Sequence, residues 1–446
     1  MKRDGNGRGI FPEEVTKMQN RWKRIGLGLV SLGLVLGLIL TAALPTCEAV
    51  PDEREVSIGI ITAFTGAIAT NGVPAGEGQL DYIRYVNEQG GINGTKIKAY
   101  WEDYRSLAVR AVDCYNRLRR KGIVLGTCIE DSALMTILPK LIKDKVPFLY
   151  IPGACASTQQ HRPQWVVGSG PIGENMWIDC ALWAKGMWTE ERPMRVGMLV
   201  ADVPIGRAGV PNVALALEEL GMKWIGVEFS PIVGMLDFSV ELLRLASKGV
   251  DCMLLAHYGA NGSVVVKDVA RLGLMEKRVF VADFAALDES NLAVVGKAAD
   301  GWYKLCCTPN AFMTEQYRGV KTAVEVAKRY RGREQENIPI HYMNGWRAGL
   351  VAVEGLRLAI EEVGVESLTG SAIRDALFRI KDFDPGFGPP ITITEEEAYY
   401  SSFYYATRIE NGRMVCISDW MEDVHFYCYV VTEEGEVRVE RVRSSE

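Results

Sequence analysis

The sequence has little of the chemistry that enzymes and metal sites most often use. Only four of its 446 residues are histidines, and their spacing matches neither a zinc-binding pattern nor the nucleophile turn of a hydrolase. The ten cysteines include no CxxC pair, and no HExxH segment occurs. We therefore expect no catalysis, no resident metal ion and no cofactor.

The chain also lacks an excess of positive charge. Its formal net charge is −6, and residues 1–24 hold seven Lys/Arg against three Asp/Glu, so the remainder carries −10. Non-specific nucleic-acid binding needs a positive surface, so we expect no nucleic-acid partner. The composition, 48% hydrophobic and 24% charged, is that of a globular protein, and the length predicts two packed cores.

An uncharged apolar run at 25–44 follows a basic stretch at 21–24, which is the order of an export signal. Three outcomes remain open: cleavage after Ala49, lipidation of Cys47, or an uncut membrane anchor. Each of them places the rest of the chain outside the cytoplasm. We therefore expect residues 1–49 to be a signal or an anchor and the protein to work at the periplasmic or extracellular face.

Ten cysteines are few for an exported protein that depends on disulfides. Cys114, Cys128 and Cys155 fall in the first half and could form bridges, although the sequence does not pair them. Cys306 and Cys307 lie in an apolar stretch, where we expect them to be buried as small hydrophobic residues.

From residue 56 onward, short β-rich runs alternate with helical patterns. The predicted strands are 56–61, 96–101, 123–125, 148–151, 195–200, 223–229, 251–256 and 278–282. Nearly continuous apolar strands that alternate with helices are typical of parallel sheets covered on both faces. Two such series in succession predict an α/β protein with two doubly wound parallel-sheet lobes.

The last third of the chain has a different pattern. Helical patterns at 312–331 and 341–362 precede a segment at 390–431 that is rich in β-branched and aromatic residues and has an Asn-Gly turn at 411–412. We expect an antiparallel addition to one lobe, followed by a polar tail at 432–446. Because ligands of open parallel sheets bind beyond the carboxyl ends of the strands, the loops after the strands are expected to line a cleft.

The most specific motif is the segment 58–94. A strand ends in Thr65-Gly66, spaced small residues follow, and a helix ends in Gly90-Gly91, whose left-handed geometry would stop it before an Asn-Gly turn at 93–94. Further pieces follow in order: Asp131-Ser132-Ala133, Pro152-Gly153-Ala154, Asp202 with Gly206, Gly234 with Asp237-Phe238-Ser239, and Gly412 with Trp420. In this collinear pattern the chain resembles, over residues 54–425, the type I periplasmic binding proteins of the branched-chain amino acid (Leu/Ile/Val) ABC transporter family.

The resemblance implies a hinge with three crossings between the lobes. The crossings would lie near 168–172, 283–287 and 386–392. The first lobe would then comprise 54–169 and 286–388, and the second lobe 170–285 and 389–431. Such a protein would be a monomer that closes on a small organic solute and delivers it to the permease and ATPase components of an importer.

The family's amino-acid binders hold the ligand's carboxylate with a serine hydroxyl and backbone N–H groups. Carried over, these positions are Ser132, next to Asp131, and the backbone around Ala154, Cys155 and Ala156. A hydroxyl, free N–H groups and a helix N-terminus form a coherent anion site. Ser132 is explained equally well as the N-cap of the helix that follows.

Two positions depart from the family pattern. Met235 stands where amino-acid binders place a glutamate against the ligand's ammonium, and Ile205 replaces a tyrosine. A buried ammonium without a carboxylate partner is costly, so an α-amino acid is not expected unless Asp202 or Asp283 substitutes.

Met235 and Ile205, together with Tyr258 and Phe284, would instead form an apolar, partly aromatic wall. We therefore expect a small carboxylate or amide with an apolar body. His257 could donate to a ligand carboxylate or be a structural histidine at a strand end. Asn71, at the position of a ligand-contacting aromatic residue, could be a polar contact or a turn residue.

Two other functions compete with transport as explanations of this sequence. The segment 168–173 matches GxGxxG, but Asp202 lies 29 positions after Gly173, whereas a dinucleotide site expects an acidic residue after about 20. A ligand sensor would share the lobes and the hinge. A sensor in one chain needs a second membrane segment, and no run after Leu350 is long and apolar enough, so we favour transport.

Overall fold

The computed structural model describes residues 54–151, 164–171, 173–395, 398–400 and 403–424, together with the backbone of 427–431 and 437–441. These residues all belong to one compact unit, Arg54–Glu446. The predicted export segment, with Cys47, lies outside the described residues.

The strands and helices alternate through most of the chain. The strands are β1 Glu55–Thr62, β2 Lys96–Asp103, β3 Leu125–Cys128, β4 Phe148–Tyr150, β5 Val166–Gly168, β6 Arg195–Ala201, β7 Lys223–Ser230, β8 Cys252–Ala256, β9 Val279–Ala282, β10 Tyr303–Cys306, β11 Phe403–Glu410, β12 Arg413–Cys416, β13 Met421–Glu422, β14 Tyr427–Val431 and β15 Val437–Arg441. The helices are α1 Ala69–Glu88, α2 Ala111–Arg120, α3 Asp131–Asp144, α4 Gly173–Gly186, α5 Pro204–Glu219, α6 Ser239–Ser247, α7 Asn261–Arg271, α8 Glu289–Val295, α9 Arg318–Arg331, α10 Ile340–Val363 and α11 Gly370–Leu377.

Two sheets organise the molecule. The first has the order β2-β1-β3-β4-β5 and is parallel throughout. The second has the order β12-β11-β10-β9-β8-β6-β7, parallel from β10 to β7 and antiparallel where β11 and β12 are added. The predicted α/β class, with two parallel-sheet lobes, is confirmed. We call the bodies built on these sheets the first lobe and the second lobe.

The predicted turn chemistry is also observed. Gly90 and Gly91, after the end of α1, have φ values of +105° and +78°, which an L side chain adopts only with strain. Asn411 and Gly412 have φ values of 53° and 72°, so a tight turn joins β11 to β12. The antiparallel addition expected from segment 390–431 is therefore present on the second sheet.

The second predicted lobe crossing is placed too early. The expectation of a crossing near 283–287 would put β10 in the first lobe, but β10 pairs with β9 and β11 in the second sheet. The chain therefore leaves the second sheet only after Cys306. The sequence did not separate this four-residue strand from the apolar stretch around it.

Three smaller expectations also differ. Phe383 and Ile391 still pair with each other, and Tyr399 still pairs with Gly168 of β5, so the chain reaches β11 of the second sheet later than 386–392. The tail predicted at 432–446 contributes β15, which pairs with β14. Cys114 and Cys128 are free buried thiols, so neither forms the disulfide considered for it.

Apolar packing joins each sheet to its helices. In the first lobe, Ile58 and Ile60 of β1 belong to one buried cluster with Leu356 of α10. In the second lobe, Leu199 and Phe280 belong to a cluster with Leu242 of α6 and with neighbouring helices. A third cluster includes residues of both lobes and continues between them, which brings the carboxyl ends of the two sets of strands close together.

Candidate ligand-binding cleft

The cleft between the lobes is formed by loops at the carboxyl ends of strands. The first lobe contributes the segments after β1 and β3, and the second contributes those after β6, β8 and β9. Gly259, after β8, shows how closely they meet: a Cβ built on it would lie 2.5 Å from the backbone oxygen of Ala67. Only a residue without a side chain fits there, and its φ of +60° favours glycine as well.

Asn71 joins the two lobes directly. It lies in the first turn of α1 and is buried. Its Nδ2 donates to the backbone oxygen of Ala285 at 3.1 Å, and its Oδ1 accepts from the N–H of Gly259 at 2.9 Å. The same Nδ2 lies 2.7 Å from Nε2 of His341 on α10. Both polar atoms of the Asn71 side chain therefore have partners in the protein, so it is more than a simple turn residue, and its contact with a ligand stays a prediction.

Asp131 makes a second contact across the cleft. The N–H of Ile205, at the start of α5, donates to Oδ2 of Asp131 at 3.0 Å. Val203, the N-cap residue of α5, offers no capping side chain, so a carboxylate from the first lobe supplies the cap. Within the described residues, Oδ1 of Asp131 has no hydrogen-bond partner although it is buried.

Two acidic residues lie side by side at this point. Burial raises the pKa of Asp131 to about 7, and the Glu130 carboxylate contributes to the increase. Burial also raises the pKa of Glu130 above its ordinary value. No basic side chain is among the main groups that shift either pKa. This part of the cleft is therefore acidic, with no cation of its own among the described residues.

Ser132 does not cap the helix α3. The N-cap of α3 is Glu130, whose carboxylate accepts from the N–H of Ala133 at 3.2 Å. Ser132 lies within the first turn, half-buried, and its hydroxyl hydrogen bond lowers the pKa of Glu130. The capping interpretation of Ser132 is therefore wrong, because α3 begins at Asp131, one position before Ser132, and the Glu130 carboxylate caps it. The other predicted anion contacts, Ala154, Cys155 and Ala156, lie outside the described residues.

His257 is a buried, neutral histidine. Its Nδ1 accepts from the N–H of Tyr258 at 2.9 Å, so the ring proton must sit on Nε2, which lies 3.1 Å from the hydroxyl of Ser230. Burial lowers its pKa to about 4. Both ring nitrogens are therefore used within the second lobe, and this favours the structural interpretation.

The two aspartates that could have replaced the missing glutamate are both engaged elsewhere. Asp202 is exposed and forms a two-pronged ion pair with Arg207, at 2.6 and 2.7 Å. Asp283 is buried and accepts from Nε1 of Trp177 at 3.0 Å and from the N–H groups of Ala285 and Ala286. Neither aspartate is therefore held in a way that favours binding of a ligand ammonium.

The apolar wall is partly assembled. Ile205 and Phe284 are buried in the cluster that spans both lobes, and Tyr258 packs against it. Met235 is half-buried against a different cluster, the one that holds Phe238 and Leu242. The structure therefore brings Ile205, Tyr258 and Phe284 into one cluster and leaves Met235 out of it.

Several residues at the cleft and the crossings were not foreseen. Lys304 on β10 is buried and donates to three backbone oxygens of the loop after β9, among them Asp283 and Phe284 at 3.1 Å each. Trp177, His341 and Arg347 are likewise buried. In the sequence, Trp177, His341 and Arg347 lie in helical patterns and Lys304 lies in an apolar stretch. A charge inside an apolar segment was the signal that could have drawn attention to Lys304 and Arg347.

Other kinds of site are not evident in the part of the chain that the structure describes. There, no group of three or more His, Cys, Asp or Glu side chains could hold a metal ion. No helix of the same part combines the length and the apolar character needed to cross a membrane.

Comparison with known proteins agrees with this architecture. The family model described as "Periplasmic binding protein" matches residues 55–413. No curated protein sequence is significantly similar to the chain. Among solved structures, a valine-bound branched-chain amino acid ABC transporter protein from Thermus thermophilus superposes with a TM-score of 0.75 at 21% identity, covering 83% of this chain and 97% of its own.

Two further structures differ in what their descriptions say they bind. A fatty acid ABC transporter substrate-binding protein from Thermomonospora curvata has a TM-score of 0.73 at 18% identity and covers 83% of this chain and 93% of its own. A solute-binding protein from Rhodopseudomonas palustris BisB5, in complex with 3,4-dihydroxybenzoic acid, has a TM-score of 0.69 at 17% identity, with 83% and 98% covered. At these identities the likeness establishes the fold and leaves the solute open.

The family model, which describes periplasmic binding proteins and not enzymes, covers most of the chain, and the structural neighbours named above are ABC transporter binding proteins. The dinucleotide-enzyme alternative is thereby set aside. With its two lobes, its parallel sheets and the motif order of segment 58–94, this chain belongs to the periplasmic binding protein family.

Proposed function

We propose that this protein binds a small organic solute in the cleft between its lobes, closes on it by bending at the three crossings, and delivers it to the permease of an importer. The observation that carries the proposal is the bond from Ile205 N–H to Asp131, which joins the lobes beside a buried carboxylate oxygen without a partner. A closed cleft with an unsatisfied acceptor is well suited to a solute that supplies the missing donor.

The chemistry of the cleft favours a donor over an anion. Asp131 and Glu130 are buried without an ion-pair partner among the described residues, so a carboxylate placed beside them would be repelled. An amide N–H, an amine or a hydroxyl would instead satisfy Oδ1 of Asp131. A carboxylate solute would fit only when Asp131 is protonated, and its pKa of about 7 confines that state to neutral and acidic conditions.

The rest of the solute is expected to be apolar. Ile205 and Phe284 are buried in the cluster that joins the lobes, with Tyr258 against it, and they offer no charge to a ligand. We therefore propose an amide or amine with an apolar body. Ile205 and Met235 of the second lobe replace the residues that hold a ligand ammonium in the family's amino-acid binders. Asp131, in the first lobe, could bind the ammonium of a solute instead, so the test includes amines.

The proposal can be tested by a thermal-shift screen followed by calorimetry. Small amides, amines, carboxylates and the amino acids leucine, isoleucine and valine would be screened at pH 6 and pH 8, because a solute that binds only the folded protein raises the melting temperature. We expect amides or amines to bind at both pH values and carboxylates to lose affinity at pH 8. The ligand class would be wrong if a carboxylate without a donor bound as tightly at pH 8 as at pH 6.

The Asp131→Asn variant gives the matched control for the site. Its amide keeps an acceptor for Ile205 N–H but cannot carry a negative charge, so an amine solute should lose affinity while a neutral amide is less affected. If the variant left the affinity for every solute found in the screen unchanged, the solute would have to bind away from Asp131.

A further inference from the structure

Three segments carry the chain between the lobes. The first follows β5, which ends at Gly168; the second follows β10, which ends at Cys306; and the third precedes β11, which starts at Phe403. Any rotation of one lobe against the other must be taken up in these segments. Groups that hold all three therefore decide where the rotation axis lies.

One buried side chain contacts all three segments. Arg347 belongs to α10 and is 4% exposed. One end of its guanidinium donates to the backbone oxygen of Cys307, directly after β10, and the other donates to the backbone oxygen of Ser169, directly after β5, at 2.5 Å. Its central carbon also lies 5.5 Å from the ring centre of Tyr400, just before β11.

The guanidinium is held without a carboxylate. An arginine is always charged in proteins, yet in the described residues Arg347 forms no ion pair, and its Nε has no hydrogen-bond partner. Backbone oxygens and an aromatic face take the place of a counter-ion. Burying a charge without a counter-ion is costly. The planar guanidinium offsets this cost because two of its nitrogens donate to two backbone oxygens at the same time, which a lysine ammonium cannot do in the same geometry.

The base of the side chain is anchored in the first lobe. Two helices of that lobe, α10 and α1, approach so closely that a Cβ on Gly345 would collide with the backbone oxygen of Ala75. Tyr400 is also tied to the first crossing, because its N–H donates to the backbone oxygen of Gly168 at 3.1 Å. Arg347 thus links a rigid helix to three segments that are far apart in the sequence.

We propose that Arg347 is the pivot of the hinge: a positioning residue that ties all three crossings to α10 and so sets the axis and the extent of lobe rotation. The inference rests on the proposed hinge closure, but it concerns a residue outside the solute cleft. Its effect is on the distance between the lobes, which a residue that only stabilises the fold would leave unchanged.

The test uses the full protein without solute, so that its outcome does not depend on whether any screened compound binds. Spin labels attached to non-natural amino acids at Val109 in the first lobe and Leu215 in the second, both exposed, would report the distance between the lobes by pulsed electron resonance. Arg347→Lys keeps the charge but replaces the fork by a single ammonium, and Arg347→Met removes the charge. We expect both variants to broaden the distance distribution or shift its mean by more than about 2 Å, the scale of a domain rearrangement.

Arg357→Lys is the matched control. Arg357 is on the same helix but pairs at the surface with Glu354 and Glu361, so its replacement should leave the distribution as in the wild type. Wild-type distributions in both Arg347 variants, with folding verified by circular dichroism, would overturn the proposal. If neither variant folds, hydrogen exchange in the wild type decides: the amides of Gly168 and Tyr400 should be protected as strongly as the middle of α10, and faster exchange there would refute a fixed pivot.

Discussion

The acidic pair at the cleft makes a prediction that needs no knowledge of the solute. Asp131→Asn keeps the size of the side chain and an oxygen that can accept from Ile205 N–H, but it removes the ionisable group. We expect the variant to be more stable than the wild type at pH 8 and equally stable at pH 4. The direction follows from the raised pKa of Asp131.

The magnitude follows from proton linkage. In the folded protein the pKa of Asp131 is about 7, against a usual value of 3.8. Between these values the folded state binds more protons than the unfolded state, so this group lowers the stability of the wild type as the pH rises from 4 to 7. At about 1.4 kcal/mol per pH unit, the loss is complete above pH 7 and amounts to roughly 4 kcal/mol at most.

The expected change in melting temperature is modest because the protein is large. An unfolding entropy of about 2.1 cal/mol/K per residue over the unit Arg54–Glu446 corresponds to roughly 0.8 kcal/mol/K. A gain of roughly 4 kcal/mol then raises the melting temperature by about 5 °C at pH 8. Calorimetry of both proteins without solute at pH 4, 6 and 8 would measure this.

A neighbouring aspartate serves as the control. Asp202 is exposed, and its hydrogen bonds to Arg207 lower its pKa, so Asp202→Asn should not raise the stability at pH 8. The reasoning would be refuted if Asp131→Asn were no more stable than the wild type at pH 8, or if the difference between them were the same at pH 4 and pH 8.

Two further predictions concern neighbouring contacts. Gly259→Ala should hinder closure of the lobes, because the new Cβ would meet the backbone oxygen of Ala67. The affinity for any solute found in the screen should fall, while the melting temperature without solute changes little. An unchanged affinity would contradict the close approach of the lobes at Gly259. Trp177→Phe removes a donor from buried Asp283 and should cost about 1–3 kcal/mol in urea unfolding. The hydrogen bond from Trp177 lowers the pKa of Asp283, because it stabilises the ionised carboxylate. Its removal should therefore cost more stability at pH 8 than at pH 5, and equal costs would argue against this role.

The fold could be predicted from the sequence because its signals are local. Apolar runs separated by helical patterns predicted eight of the ten parallel strands of the two sheets, and Gly90-Gly91 and Asn411-Gly412 marked turns that the structure confirms. The strand β10 was missed because a run of four residues, one of them Lys304, is too short to show a period that separates the strand from the apolar stretch around it. That omission also shifted the expected second crossing.

The candidate site could be predicted only in part. The loops after the strands were foreseen, and Ile205 and Phe284 do lie together in the cluster between the lobes. The state of each polar side chain was not foreseen. His257 and Asp283 have their partners within the second lobe, and Ser132 yields the capping role to Glu130.

What the sequence by itself determined is most of the order of strands and helices, the family, and the edge of each sheet from which the loops of the cleft come, because these depend on patterns within short segments. Only the tertiary structure decided which groups meet across the cleft and the hinge. Asp131 and Ile205 are 74 positions apart, Asn71 and Gly259 are 188 apart, and Arg347 and Ser169 are 178 apart. Hydrogen bonding and desolvation act over a few ångströms, so the charge, the pKa and the partner of each of these residues depend on neighbours that only the folded chain supplies.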